Sequence, residues 1–564
     1  MLGWPAGIRW HTGTMSAQDS RPVFYSRYRR AIRALPLICA LATVLVNGLA
    51  WAQNPAGTSL PPSVADALRR AAIPSSAVAV WVQPVGIGAS AQAPRLAVNA
   101  TQAMNPASTM KLLTSFAALE LLGPTYSWKT QVYADGALQG DVLQGNLVIK
   151  GGGDPKLNME QLWLMLRAVR ARGVREIRGD LLLDRSWLAR SESAQHDPAG
   201  FDGDAMKPYN VGPDALLLNF KTVRFTFVPE ADGRSVRVIS EPPLSQLELR
   251  STVRSVDGAC GDWLARVRSD FQTPSEDVLR ASFSGSYPLS CGERTWNVAL
   301  LSHPAFVLGA FRALWKELGG SFSGRLREGN VPSAARLLWT QESPPLTDVV
   351  RDINKFSNNV MARQLYLTLG TLPDVTTQGN SEDNLAARSD RAAIVIRNWL
   401  AQRRLNIPEL VMENGSGLSR IERISAAKLG ELLHAAFASS VMPEFMSSLP
   451  VAALDGTMRR RLRSDALAGQ AHIKTGSLND VRSIAGYVLS ASGQRHAVVC
   501  FIQHANAQAG QAAQDALLRW VYELPSEPGA NPAAATPPAT TTPPARTPAR
   551  RTERPHAAPA PHRG

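Results

Sequence analysis

Cysteine is scarce, with four in 564 residues, and this excludes a disulfide-dense scaffold. No spacing among the cysteines resembles a zinc site. Lysine is also scarce, with ten against 50 arginines, so a lysine inside an ordered motif carries extra weight. Charged residues make up only 19% against 45% hydrophobic, which excludes a mainly disordered chain. The apolar run from Ala34 to Leu49 falls short of the roughly 20 residues that a spanning helix needs. No internal repeat stands out. The length fits about two to four domains with ample core.

Positive charge is in excess, at +14, and its distribution decides what it means. Residues 1–52 carry six Arg and one Asp, and residues 525–564 carry five Arg and two Glu, leaving +6 for 53–524. Arg27, Arg29, Arg30 and Arg33 precede the apolar run, and Ala50-Trp51-Ala52 follows it. This order predicts a secretory signal cleaved after Ala52, with Met1 or Met15 as the start and an uncleaved anchor as the alternative. The segment after Leu524 holds 11 of the 39 prolines and lacks Val, Ile, Leu, Phe, Met, Trp, Tyr and Cys. It is expected to be a disordered Pro/Ala/Thr/Arg tail. Its arginines suit an anionic envelope surface, and a plain solubilising role is the alternative. A nucleic-acid partner is not expected, because the charge concentrates in the two ends.

Three cysteines remain after the signal, in a chain expected to meet an oxidising compartment. Cys260 and Cys291 both sit in turn-like settings and could close one loop. Cys500 lies in the apolar run Ala497-Val498-Val499-Cys500-Phe501-Ile502, which reads as a buried strand. Periodicity predicts helices at 62–73, 108–122, 159–171, 304–318, 346–369, 387–404, 425–438 and 510–523. Strands are expected at 76–83, 130–134, 146–150, 176–183, 483–490 and 496–503, with β-like pieces across 210–300. Gly123-Pro124 ends the second helix. The 180–300 stretch reads as β-rich material inserted into a larger α/β unit.

Ser108-Thr109-Met110-Lys111 opens a helix, and the spacing places Ser108 and Lys111 on one face. A serine hydroxyl needs a base to become a nucleophile. A lysine can be that base when burial or nearby positive charge lowers its pKa. Ser425-Ala426-Ala427-Lys428 has the same form and reads as a helix start after a turn. Two further motifs separate them. Ser357-Asn358-Asn359 offers a hydroxyl and an amide for proton relay and carbonyl binding. Lys474-Thr475-Gly476, followed by Ser477, reads as a strand edge where Gly lets a substrate backbone approach and Lys and Thr suit a carboxylate. Only Ser108 precedes both other motifs.

The order S-x-x-K, S-x-N, K-T-G resembles the set carried by penicillin-recognising serine acyl-transferases. Ser108 and Ser357 stand 249 residues apart, more than a compact β-lactamase places there. With Gly152-Gly153-Asp154-Pro155 and Asn414-Gly415-Ser416-Gly417-Leu418-Ser419-Arg420, the chain over about 55–524 resembles the penicillin-binding protein 4 type of D-alanyl-D-alanine carboxypeptidase/endopeptidase. The resemblance implies an α/β (α+β) fold: a β-lactamase/transpeptidase-like domain, with an antiparallel sheet, flanking helices and a helical subdomain, interrupted by inserted β-rich domains. The expected layout is a signal at 1–52 and a first transpeptidase-like part at 53–130. Inserted domains, mixed α/β then β-rich, follow at 131–300, then a second transpeptidase-like part at 301–524 and a tail at 525–564.

The same resemblance implies Ser108 as nucleophile, Lys111 as its base and Ser357 as the relay to the leaving amine. Asn359 would bind the substrate amide. Lys474 and Thr475, beside Gly476, would hold the terminal carboxylate, and the N–H groups of Ser108 and Ser477 would form the oxyanion hole. Asp154 would meet the amino end of a diaminopimelate side chain. Asn414 stands where this branch often has Asp, a departure not expected to touch the chemistry, since the segment reads as a structural turn. Implied substrates are peptidoglycan stem peptides, with β-lactams as covalent inhibitors, and the implied location is the periplasm. No metal or organic cofactor is implied. The rival readings are a β-lactamase-like hydrolase and a non-catalytic envelope-binding protein.

Overall fold

The computed structural model describes residues 57–86, 92–195, 201–275, 278–373 and 386–525. The expected signal and, apart from Pro525, the expected tail lie outside the described residues. Among the described residues no helix is long and apolar enough to cross a membrane.

The architecture is built on a five-stranded sheet in the spatial order Ala471–Leu478, Val481–Leu489, Arg495–Gln503, Val78–Pro84, Leu96–Val98. Every pairing in it is antiparallel. Alternation along each strand feeds two cores. Val78, Val80 and Val82, with Val498, Cys500 and Ile502, pack against Val64 and Leu68 of the helix Pro62–Arg70 and Leu517 and Val521 of the helix Gln511–Tyr522. Ala79 and Trp81, with Ala497, Val499 and Phe501, pack instead with Leu112, Phe116, Leu429 and Leu433 on the opposite side. A sheet covered on both faces explains why its strands read as near-continuous apolar runs. Cys500 is buried, as that pattern implies.

The insert has its own core. A seven-stranded sheet runs Ser321–Phe322, Glu176–Ile177, Val142–Lys150, Lys129–Gln139, Arg336–Glu342, with Leu181–Asp184 and Leu326–Glu328 attached beside it. The helices Met159–Ala171 and His303–Glu317 contribute Leu162, Leu166, Phe306 and Phe311 to the same core. A capping box between Asn158 and Gln161 starts the first of these helices. Two smaller sheets follow, one built on Val223–Pro229 and one on Val278–Pro288. Cys260 and Cys291 form a disulfide in this β-rich part.

The structure corrects three expectations. The insert does not end at 300. Arg336–Glu342 pairs with Lys129–Gln139, Lys129 opposite Glu342, so 303–342 packs with the insert. The boundary was hidden because partner strands some 200 residues apart leave no local signal. The expected helix at 346–369 is two helices, Leu346–Phe356 and Asn359–Leu369. Ser357 breaks them with a left-handed backbone, φ 57 and ψ 37, and Asn358 caps the second by accepting from the Met361 N–H at 3.0 Å. The expected strand 176–183 is likewise two short strands.

Candidate active site

Four chain segments converge at one edge of the five-stranded sheet. Ser108 lies in the 3-10 turn Ala107–Met110, which leads into the helix Lys111–Leu121. The turn is pinned on several sides. Asn105 accepts from the Ala107 N–H at 2.8 Å and donates to the Ser419 carbonyl at 2.8 Å. Ser483 donates to the Pro106 carbonyl at 2.6 Å. Ala107 is held at φ 45, an uncommon conformation for a residue other than glycine.

Lys111 is fully buried. Its Nζ lies 2.9 Å from Ser108 Oγ and 2.7 Å from Asn359 Oδ1, and it also reaches the Ser416 carbonyl. A neutral amine has two protons and one lone pair. That set matches these three neighbours: two protons for Asn359 and Ser416, and the lone pair for the Ser108 hydroxyl. Burial is the main cause that holds the Lys111 pKa well below its ordinary value. Lys474 and Arg363 lower it further, and Glu422 opposes them.

Lys474 lies in the edge strand Ala471–Leu478, as the sequence implies. It too is fully buried, and desolvation lowers its pKa to about 7. Its Nζ donates to Ser357 Oγ at 2.9 Å and to the Thr475 carbonyl at 2.5 Å. Thr475 Oγ1 lies 2.8 Å from Thr457 Oγ1. Ser477 is exposed and donates to Gln508 Oε1 at 3.1 Å. Gly476 brings this strand onto the serine turn. A Cβ there would lie 2.8 Å from Ser108 N and 2.2 Å from Ser483 Oγ.

The structure thus brings Ser108, Lys111, Ser357, Asn359, Lys474, Thr475 and Gly476 together, with Ser477 on the rim. Asp154 hydrogen-bonds to none of these residues; its neighbour Lys156 pairs with Asp352 at 2.6 Å, on the helix that ends at Ser357. Asp154 is 2% exposed and accepts from the Lys156 N–H at 2.8 Å, an Asx turn in the loop after the strand Val142–Lys150. This buried carboxylate caps its own turn. Burial raises its pKa to about 6. The unfolded chain therefore ionises this group at lower pH than the folded one does. Stability is lost as pH rises through about 6. Asp154→Asn is expected to gain stability over the parent at pH 8, on the order of 2 kcal/mol, and to lose that advantage near pH 4. Urea midpoints at the two pH values test this. A gain equal at both would show that ionisation is not the cause.

The turn at 414–420 also touches the site through its backbone. Ser416 supplies a carbonyl to Lys111, and Gly415 O accepts from Thr114 Oγ1 at 2.7 Å. Gly415 and Gly417 have φ 68 and 76, the left-handed region open to glycine. Behind the turn, buried Glu422 accepts from the N–H groups of Glu413, Asn414 and Gly415 at 3.2, 3.1 and 2.9 Å. The two glycines were the visible sign that this backbone turns sharply. Nothing in the sequence said that a carbonyl would point at Lys111. The insert also reaches the rim. Phe201 packs with Ala107, Leu418, Leu478 and Val481, and the Arg420 guanidinium sits 4.5 Å above its ring.

Ser425 and Lys428 show the contrast. Ser425 caps the helix Ala426–Phe437 by accepting from the Lys428 N–H at 3.3 Å, and Lys428 pairs with Glu431 at 2.9 Å. The same four-residue formula here makes a helix start.

Known proteins resemble this chain in fold and in sequence. Among solved structures, penicillin binding protein 4 (dacB) from Haemophilus influenzae has a similar fold. The TM-score is 0.65 at 22% identity, over 82% of this chain and 99% of that one. A D-alanyl-D-alanine carboxypeptidase from an Actinomadura species is 30% identical over 406 residues, 69% of this chain and 71% of the relative. The D-alanyl-D-alanine carboxypeptidase DacB of Haemophilus influenzae is 23% identical over 72% of this chain and 81% of its own length. The model of the D-Ala-D-Ala carboxypeptidase 3 (S13) family matches residues 60–524. That span takes in both halves of the sheet, the serine turn and the whole insert, and on it this chain belongs to the D-Ala-D-Ala carboxypeptidase 3 (S13) family.

Proposed function

We propose that this protein trims and cuts peptidoglycan stem peptides through an acyl-enzyme on Ser108. The observation that carries the reading is the buried Lys111 amine, which meets Ser108 Oγ at 2.9 Å and Asn359 Oδ1 at 2.7 Å beside the Lys474–Ser357 contact. Lys111 takes the Ser108 proton as Oγ attacks the carbonyl of the penultimate D-alanine. The N–H groups of Ser108 and Ser477 receive the developing oxyanion. Asn359, with its oxygen engaged by Lys111, offers its amide nitrogen to the substrate carbonyl. Ser357 gives a proton to the leaving amine and regains one from Lys474. The terminal D-alanine departs. Water then attacks the ester carbonyl and gives up a proton that returns to Lys474 through Ser357, while Lys111 gives its proton back to Ser108 Oγ as the acyl–oxygen bond breaks, so both lysines regain their starting states. When the leaving amine belongs to a neighbouring stem peptide, the same steps cut a cross-link.

Mass spectrometry of the protein with benzylpenicillin should show one covalent adduct, lost in Ser108→Ala. With muropeptides, the parent should release D-alanine or split cross-links, and Ser108→Ala should do neither. Persisting D-alanine release in Ser108→Ala would overturn the reading. Prompt hydrolysis of the penicillin would favour the β-lactamase alternative.

We also infer export to the periplasm, with cleavage after Ala52. The basic, apolar and A-x-A order of residues 27–52 supports it, and the Cys260–Cys291 disulfide fits an oxidising compartment. The arginines of the tail suit contact with an anionic envelope surface. Amino-terminal sequencing of the mature protein tests the cleavage.

A further inference from the structure

Thr457 lies outside every motif that identified the site, in the 3-10 turn Gly456–Met458. Three sets of contacts hold it there. The outer edge of the strand Ala471–Leu478 is lined by residues 450–452. The Ile473 N–H donates to the Pro450 carbonyl at 2.8 Å, Val451 bridges His472, and the Ala452 N–H donates to the Ala471 carbonyl at 2.9 Å. This cover stops before Lys474 and leaves 474–478 for a substrate. Lys355, two residues before Ser357, then stitches the segment from behind. Its buried Nζ donates to the Leu449 carbonyl at 2.6 Å and to Asp455 Oδ2 at 2.6 Å, while Asp455 Oδ1 accepts from the Val451 N–H at 2.7 Å. Finally, Gly456 at φ 53 lets the turn lie against the helix end, where a Cβ would stand 2.6 Å from the Lys355 carbonyl.

The result is an exposed Thr457 hydroxyl 2.8 Å from Thr475 Oγ1. A hydroxyl that accepts one hydrogen bond keeps its own proton to donate. In the free site Thr475 spends its proton on Thr457 Oγ1; a carboxylate, which only accepts, takes the Thr457 proton and, once the Thr475 hydroxyl turns out of that bond, the Thr475 proton as well, beside the Lys474 ammonium. We propose that Thr457 is a second hydroxyl ligand for the terminal carboxylate of the substrate, forming a clamp with Thr475 that the Lys355–Asp455 pair holds in place. The proposal rests on the reading above that Thr475 meets this carboxylate.

The test compares kcat/KM for an N-acylated peptide ending in D-Ala-D-Ala as the free acid and as its C-terminal amide. Thr457→Val is expected to lose about tenfold of the parent's preference for the acid, mostly through KM, as fits one hydrogen bond to a charged group. Thr457→Ser is expected to keep the preference. If Thr457→Val keeps it while Thr475→Val loses it, the second ligand is overturned and the Thr475 reading stands. If Thr475→Val keeps it too, the carboxylate reading itself falls. Equal loss on acid and amide in Thr457→Val would mark a structural role and also overturn the proposal.

Discussion

Lys111→Ala is expected to slow acylation of Ser108 by benzylpenicillin about 10^3-fold, within the range for removing a positioned general base. The fold should survive. Lys111 carries a desolvation cost in the parent, since burial is the main cause of its lowered pKa, so its removal also removes that cost. Adduct mass against time measures the first effect and a thermal melt the second. Acylation within tenfold of the parent would mean that another group takes the proton.

The pH profile follows from the same pair of lysines. Lys111 must be neutral to accept the serine proton, so kcat/KM rises as pH passes its lowered pKa. Lys474 must keep its proton to supply Ser357 and attract a carboxylate, so kcat/KM falls as pH passes about 7. Lys474→Ala should remove the alkaline limb along with most of the activity.

The second large effect is expected at Gly417. An alanine Cβ there would stand 1.9 Å from the Ala107 carbonyl oxygen and 2.7 Å from Ser108 N. Both are backbone atoms and cannot swing aside. The position also has φ 76, where a side chain is strained in any surroundings. Gly417→Ala is expected to cost about 4 kcal/mol, from backbone strain and overpacking together, and to abolish detectable acylation. Denaturant unfolding and adduct mass measure the two losses. Gly493→Ala serves as the comparison, because its φ is 83 but nothing lies within 4 Å of its Cβ. A similar loss of acylation in both variants would show that strain alone, without the contact to the serine turn, is responsible.

Much of this site was legible because its chemistry needs particular side chains at fixed spacing. Ser108 and Lys111 lie one helical turn apart, and Lys474 and Thr475 lie in an edge strand. The parts that were not legible are set by backbone and by distant pairing. Ser416 acts through a carbonyl, which every residue has. Ser357 breaks a helix that its apolar pattern continues, because Asn358 caps the next one. Thr457 gains meaning only from the residue opposite it. In the fold, the inner strands of the central sheet declared themselves as short apolar runs. The end of the insert did not, since Glu342 pairs with Lys129 across more than 200 residues.

The central sheet joins Val78–Pro84 directly to Arg495–Gln503. This fixes the order in which activity can appear as the chain is made. Ser108 and Lys111 emerge early, but Lys474 and the strands that seat it come near the end. Until then Val78–Pro84 is paired on one side only, Lys111 has no Lys474 near it, and Gly476 is not yet against the serine turn. Holding the segments apart by a long insert adds little to the cost of closing them, about 2 kcal/mol for a tenfold longer loop. A chain stopped before residue 495 cannot complete the sheet, so partial products of synthesis or proteolysis carry the serine without its reactivity.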